Sequence, residues 1–198
     1  DWCHGMGMPE DKIVPLLNAP SFDLPEGAED RIARRRAHRD PDAPLRAIYL
    51  GRLDQQKGVE RLISIVESAK ATRLPIEWRL IGKSVMGDAS VEMPQDIAKM
   101  IEPPLTSPES LAEAFEWADV FILPSYYEGL PLTILEAMRS GVIPLATDAG
   151  AVTEVVQSWR NGVVLSQANT IGDALSALDR LARDPELLQR LSDQARQD

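Results

Sequence analysis

The 198-residue sequence is poor in cysteine, histidine and positive charge, and each scarcity excludes something. A single cysteine, Cys3, rules out an internal disulfide framework and suits a reducing compartment, so cytoplasm is the expected location. His4 and His38 are isolated and Cys3 has no partner, which leaves no visible set of metal ligands. The 21 Lys and Arg are outnumbered by 31 Asp and Glu, and a net charge of −10 argues against a general nucleic-acid binder. Any anionic ligand must therefore be met by local charge. No apolar run approaches the roughly 18 residues that a membrane span needs, and the opening text "DWCHGMGMPEDK" has neither the basic nor the apolar region of a signal peptide. There is no initiator Met, and Gly/Pro-rich text precedes the first strand-like run, "KIVPLL"; the expectation is that the sequence continues a longer chain. No fixed-period repeat and no low-complexity segment is visible.

What is present is a core-forming chain, 44% hydrophobic, long enough for one sizeable domain. Up to Asp42 the text is irregular, with "NAPSFDLPEG" read as loop and "AEDRIARRRAHR" as a short helix. Its five arginines from Arg31 to Arg39 could form a phosphate or membrane patch. Flanking Glu26, Glu29, Asp30, Asp40 and Asp42 favour a solvated helix face instead. From residue 45 onward, strand-like and helical patterns alternate. "LRAIYLG" and "IEWRLIG" read as buried strands around a helix marked by Val59, Leu62, Ile63 and Val66. "ADVFILP" and "GVIPLAT" flank the helical "LPLTILEAMRS", and "ALSALDRLA" and "PELLQRLSDQA" close the chain. This alternation predicts an α/β domain with a mostly parallel sheet and helices on both faces, whose ligands bind at the carboxyl ends of the strands.

Two strand-end loops carry candidate chemistry. In "GRLDQQKG", Gly51 is read as the end of a strand, Arg52 and Lys57 supply a planar fork and a mobile point charge, and Gly58 permits close backbone approach. The pair could clamp a diphosphate or be two exposed cations; the octapeptide alone leaves both open. In "SYYEGLPLTILEAMRSG", Pro131 suits the first helical turn, with Leu130 at the cap and the amides of Leu132 and Thr133 free for an anion. Glu136 would lie about 7 Å further along the helix, within reach of the vicinal hydroxyls of a ribose. Alternatively it pairs with Arg139 three residues on, while Glu128 is either a ligand to the group beyond the phosphates or a favourable charge near a helix start.

"GRLDQQKG", then "ADVFILPSYYEGLPLTILEAMRSGVIPLAT", then "GAVTEVV" and "NGVVL" occur in an order that resembles the C-terminal, nucleotide-sugar-binding domain of retaining glycosyltransferases of the GT-B fold, family 4 type. Glu128 and Glu136 match the E-x7-E motif of that family. The resemblance covers residues 45 to 198 and implies a Rossmann-like domain there, with residues 1–44 as a lead-in from a preceding domain. It implies transfer of a sugar from a nucleoside-diphosphate sugar to a sugar, lipid or glycan acceptor held by that preceding half. Neither cofactor nor metal is implied, and contact with the inner face of a membrane is expected only through the preceding half. The catalytic set it implies is Arg52 and Lys57 on the diphosphate and Glu128 on the transferred sugar. Glu136, Gly129, Leu130, Leu132 and Thr133 are the implied substrate-binding set. Weaker matches are Glu154 in "AGAVTEVV", read as a helix-start charge, and Lys83, read as a surface lysine. "IEPPLTS" lies where the nucleotide base would dock. A non-catalytic nucleotide-sugar-binding module, or a related epimerase or phosphorylase, is the alternative.

Overall fold

The computed structural model describes residues 27, 31–32, 40, 43–84 and 90–198. The expected strand "KIVPLL" and most of the expected helix in "AEDRIARRRAHR" lie outside the described residues. Arg31 and Ile32 are helical, and Arg31 holds Glu116 through two hydrogen bonds of 2.7 and 3.0 Å.

Six strands form one parallel sheet: β1 (Leu45–Leu53), β2 (Ile76–Ser84), β3 (Ile101–Glu102), β4 (Val120–Leu123), β5 (Ile143–Thr147) and β6 (Val163–Leu165). Their spatial order is β3-β2-β1-β4-β5-β6. Between and after them run α1 (Val59–Ala71), α2 (Gln95–Ala98), α3 (Pro108–Trp117), α4 (Leu132–Arg139), α5 (Val152–Val155), α6 (Thr170–Arg183) and α7 (Pro185–Gln197). This is the parallel α/β sheet that the alternating pattern predicts, and the Rossmann-like architecture that the resemblance implies.

Strand periodicity explains the two layers, because successive side chains point to opposite faces. Leu45, Ala47 and Tyr49 of β1, Val120 and Ile122 of β4, and Ile143 and Leu145 of β5 pack with α1 and α6. Ile48, Phe121, Leu123 and Ala146 face the other way, onto Phe115 of α3 and Ile134, Ala137 and Met138 of α4. Both faces are buried, so the strands read as continuous apolar runs rather than as alternating ones. The last helix, α7, joins the layers: Leu187, Leu188 and Leu191 belong to one core and Ala195 to the other.

Two boundaries differ from the sequence reading. β1 does not end at Gly51 but continues in register with β2 through Leu53↔Ser84, so Arg52 is a strand residue. At the start of α4, Pro131 with ψ 124° is itself the cap and Leu132 the first helical residue, which moves Leu130 out of the cap position. An extended proline cannot occupy the first helical position, whose ψ must already be helical. Helix α3 had no counterpart among the predicted segments. It starts at Ser107, which accepts from the Ser110 amide while the Ser110 hydroxyl accepts from the Ser107 amide.

Candidate active site

Strand order reverses between β1 and β4, which are hydrogen-bonded neighbours with Ala47 opposite Val120. The helices that follow them, α1 and α4, pack on opposite faces of the sheet, the arrangement at which doubly wound sheets take ligands. The first loop, residues 54–58, ends on Gly58, the N-cap of α1. Gly58 has φ +67°, and a Cβ there would fall 2.0 Å from the Pro124 carbonyl oxygen. Only glycine allows the first loop to lie against the second, residues 124–131, so the close approach expected of Gly58 is toward the protein's own backbone.

The two loops are then joined by polar contacts. The Tyr126 amide donates to the Gln56 carbonyl at 3.0 Å, and the Gln56 side-chain amide donates to the Tyr127 carbonyl at 3.3 Å. Lys57 Nζ lies 2.7 Å from Glu128 Oε1 and 2.9 Å from Oε2. The Ser125 hydroxyl donates to Glu128 Oε1 at 2.6 Å. With side-chain exposures of 18% and 7%, Lys57 and Glu128 form a largely buried pair, not a solvated cation and a helix-start charge.

Arg52 is different: its side chain is 57% exposed, with Nε 3.2 Å from Asp54 Oδ2 and a terminal nitrogen 3.2 Å from Gln56 Oε1. Asp54 is buried, and its other oxygen accepts from the Lys57 amide at 2.9 Å. One carboxylate thus orients both cations, Arg52 through its side chain and Lys57 through its backbone. Beneath them the Tyr49 hydroxyl donates to the Arg52 carbonyl. Burial chiefly, with the nearby charges of Asp54 and Glu128, pushes the Tyr49 phenol well above its usual range, and Arg52 opposes that shift.

Of the other residues singled out in the sequence, Gly129 is exposed and faces open space, and its carbonyl accepts from the Ala151 amide at 2.9 Å. Leu130 and Thr133 are half-buried, and Leu132 is exposed at the start of α4. Glu136 is 3% exposed among Ile134, Ala137 and Met138, whereas Arg139 is on the surface. Glu154 is exposed on the four-residue α5. Lys83, at the end of β2, lines a cavity of about 350 Å³ together with Arg52, Gly82, Pro104, Leu105 and Thr106. That places the "IEPPLTS" segment beside Arg52. Among the described residues no group of three or more His, Cys, Asp and Glu could hold a metal, and no helix is long and apolar enough to cross a membrane.

Sequence reasoning missed the residues that hold the site, namely Asp54, Gln56, Ser125, Arg61 and Gln167. A signal existed for two of them. Asp54 stands three residues before Lys57, the spacing of a side chain capping a turn, and Ser125 stands three before Glu128. Arg61 and Gln167 meet across 106 residues, a contact that only the fold supplies.

The model of the family described as glycosyl transferases group 1 matches residues 30–198. Alpha-D-kanosaminyltransferase of Streptomyces kanamyceticus is 28% identical over 202 residues, covering 95% of this chain and 50% of that protein. An uncharacterized glycosyltransferase of Methanocaldococcus jannaschii is 26% identical over 189 residues, covering 92% of this chain and 48% of that protein. Among solved structures, HepE of Anabaena in complex with UDP and glucose aligns with a TM-score of 0.71 at 16% identity, over 98% of this chain and 54% of that one. The C-terminal domain of LpcC, a glycosyl transferase group 1 family protein from Francisella tularensis, aligns with a TM-score of 0.65 at 18% identity, over 90% of this chain and 92% of that one. At such identities the likeness bears on the fold alone, which is the Rossmann-like half of the GT-B architecture. The chain spans about half the length of these two curated relatives.

Proposed function

Because the chain belongs to the glycosyl transferases group 1 family, we propose that it is the donor-binding half of a retaining glycosyltransferase of the family 4 type, which moves a hexose-like sugar from a nucleoside diphosphate to an acceptor. The observation that carries this reading is the pairing of Lys57 with Glu128 across the loops after β1 and β4, with Arg52, at the end of β1, tied to the first of those loops through Asp54 and Gln56. Arg52 and Lys57 take the diphosphate, helped by the outward amides of Leu132 and Thr133 at the start of α4. Glu136, one turn along α4 from Leu132, takes the ribose hydroxyls. Gly129 and Leu130 line the sugar's approach, and Glu128 accepts from hydroxyls of the transferred sugar. The base enters the cavity beside Arg52 and Lys83.

In the reaction the anomeric C–O bond breaks, its electron pair leaves with the diphosphate, and the acceptor oxygen bonds the same face of the sugar while passing its proton to the departing diphosphate. Negative charge grows on the leaving group as the sugar becomes oxocarbenium-like. Cations and amides fixed around that group therefore stabilise the transition state more than the ground state. Lys57 enters this arrangement already paired, so the arriving diphosphate shares it with Glu128 and draws both residues toward the donor. Residues 1–44 are the lead-in from a preceding half that holds the acceptor, the chain alone transfers nothing, and the enzyme works in the cytoplasm. The test is nucleotide release from a panel of nucleotide-sugars by the protein together with its preceding half. Acceptor-dependent release with retained anomeric configuration is expected; none from any donor, or inversion, contradicts the reading.

A further inference from the structure

The loop that carries Glu128 is irregular, yet its carbonyls are held one after another by side chains from four other parts of the fold. Arg61 of α1 donates to the Pro124 carbonyl at 3.3 Å. Thr147 of β5 donates to the Ser125 carbonyl, and Gln56 donates to that of Tyr127. The remaining contacts come from Gln167, in the loop after β6. Its Nε2 lies 3.2 Å from the Ser125 carbonyl, 3.4 Å from that of Tyr126 and 3.1 Å from that of Asp148.

An amide nitrogen could be exchanged with its oxygen by a half-turn, so what fixes the donor's direction matters. Arg61 fixes it. One guanidinium nitrogen donates to Gln167 Oε1 at 2.8 Å and the other to the Gln167 carbonyl at 3.2 Å. The same guanidinium stacks 3.5 Å over the Tyr126 ring. Arg61 thus holds Gln167 by its oxygen, which leaves the NH2 no choice but the three carbonyls. Among the described residues, Gln167 is the side chain that bridges the loops after β4 and β5, and it does so at Ser125 and Tyr126, three and two residues before Glu128.

We propose that Gln167 is a positioning residue for the transferred sugar. By tying Ser125 and Tyr126 to Asp148, it sets where the Glu128 carboxylate stands, and Arg61 sets Gln167. It touches neither nucleotide nor sugar. The inference rests on the reading that Glu128 accepts hydrogen bonds from the transferred sugar, and it extends that reading to a residue from a different loop. Its signature is selective: losing Gln167 weakens the gain in affinity that the sugar adds to a nucleoside diphosphate, and leaves the diphosphate itself alone.

The test compares affinities of the full chain for UDP, GDP, ADP and dTDP with those for the matching glucose or mannose conjugates. The readout is the ratio of the two dissociation constants for whichever nucleotide binds. Gln167→Met removes the amide, and Gln167→Glu keeps the acceptor for Arg61 while replacing only the donor. Both variants should reduce that ratio about tenfold, with affinity for the bare nucleoside diphosphate changed by less than about twofold. Placed in a Glu128→Gln background, neither should reduce it further, because the two residues act in series. A full reduction added on top of Glu128→Gln, or an equal loss for bare diphosphate and conjugate, overturns the positioning role. If Glu128→Gln alone leaves the ratio unchanged, or if no nucleotide of the panel binds, the reading of the site fails first and the inference falls with it.

Discussion

Lys57 and Glu128, 71 residues apart in sequence, share one ion pair in which the ammonium touches both carboxylate oxygens, at 2.7 and 2.9 Å. The pair joins the loops after β1 and β4, and it is mostly out of water. Removing one member strands the other, whereas removing both leaves little uncompensated charge. Lys57→Met and Glu128→Gln should each lower unfolding stability by about 2 kcal/mol, with the double variant recovering much of that loss. Urea denaturation of the four proteins checks this, and simple additivity would mean that the pair contributes nothing as a pair.

Gly58 allows the same two loops to touch. Gly58→Ala puts a Cβ 2.0 Å from the Pro124 carbonyl oxygen and asks an L side chain to hold φ +67°. The expected loss is at least about 2 kcal/mol, since neither backbone can yield cheaply. Thermal melting of the variant is the measurement. A near-neutral result would mean that the approach of the two loops is loose.

Much of the fold was legible in the sequence because most of the long elements announce themselves by period. Strands buried on both faces give apolar runs, and α1, α6 and α7 carry helical spacing. Less was legible where the signal is short or nonlocal. The two-residue strand β3 has no room for a pattern. Helix α3 was missed although Leu111, Ala114 and Phe115 stand at helical spacing behind Ser107 and Pro108, because alanines make its buried stripe thin. Of the candidate site, Arg52, Lys57, Glu128 and Glu136 were visible as residue types in plausible loops. That Lys57 is bound to Glu128 was not visible, because that contact depends on how tightly the two loops close. Gln167 had no local signature at all, since its partners come from α1 and from the loops after β4 and β5.

At the sheet's edge, Arg79 and Glu102 join β2 to the short β3 through hydrogen bonds of 2.6 and 2.8 Å. The Arg79 guanidinium holds the Glu102 carboxyl below the usual carboxylate range, against a smaller effect of burial. A folded-state pKa below the unfolded one stabilises the protein above the unfolded value, about 4.3, and that stability is lost as pH falls through the folded value. Wild type should therefore exceed Glu102→Gln by up to about 1 kcal/mol at neutral pH, because the pair is part-exposed. The difference should shrink below about pH 4.5. Urea midpoints at pH 7 and pH 3 measure it, and a gap that persists unchanged in acid would contradict the assignment to the ion pair.

Glu136 is a buried acid in an otherwise apolar stretch of α4, and the proposal gives it the ribose. Glu136→Gln keeps the size and one acceptor but removes the charge. It should weaken ribonucleotide binding by about 1–2 kcal/mol. A 2′-deoxyribonucleotide should cost wild type a similar amount and the variant much less. Equal penalties in both proteins would leave the ribose without this partner.

The central claim is that the crevice between β1 and β4 holds a diphosphate, and the most direct measurement is calorimetric titration of nucleoside diphosphates into wild type and Arg52→Ala. Arg52 is the exposed cation of the site, so its removal should leave the fold intact, and matched unfolding curves verify that. The account predicts heat of binding for at least one nucleoside diphosphate. It also predicts a loss of roughly 1.5–3 kcal/mol in the variant and nearly unchanged affinity for the corresponding nucleoside. No heat from any of them on folded wild-type protein, or an Arg52→Ala variant that binds diphosphate as well as wild type at low salt, would contradict it.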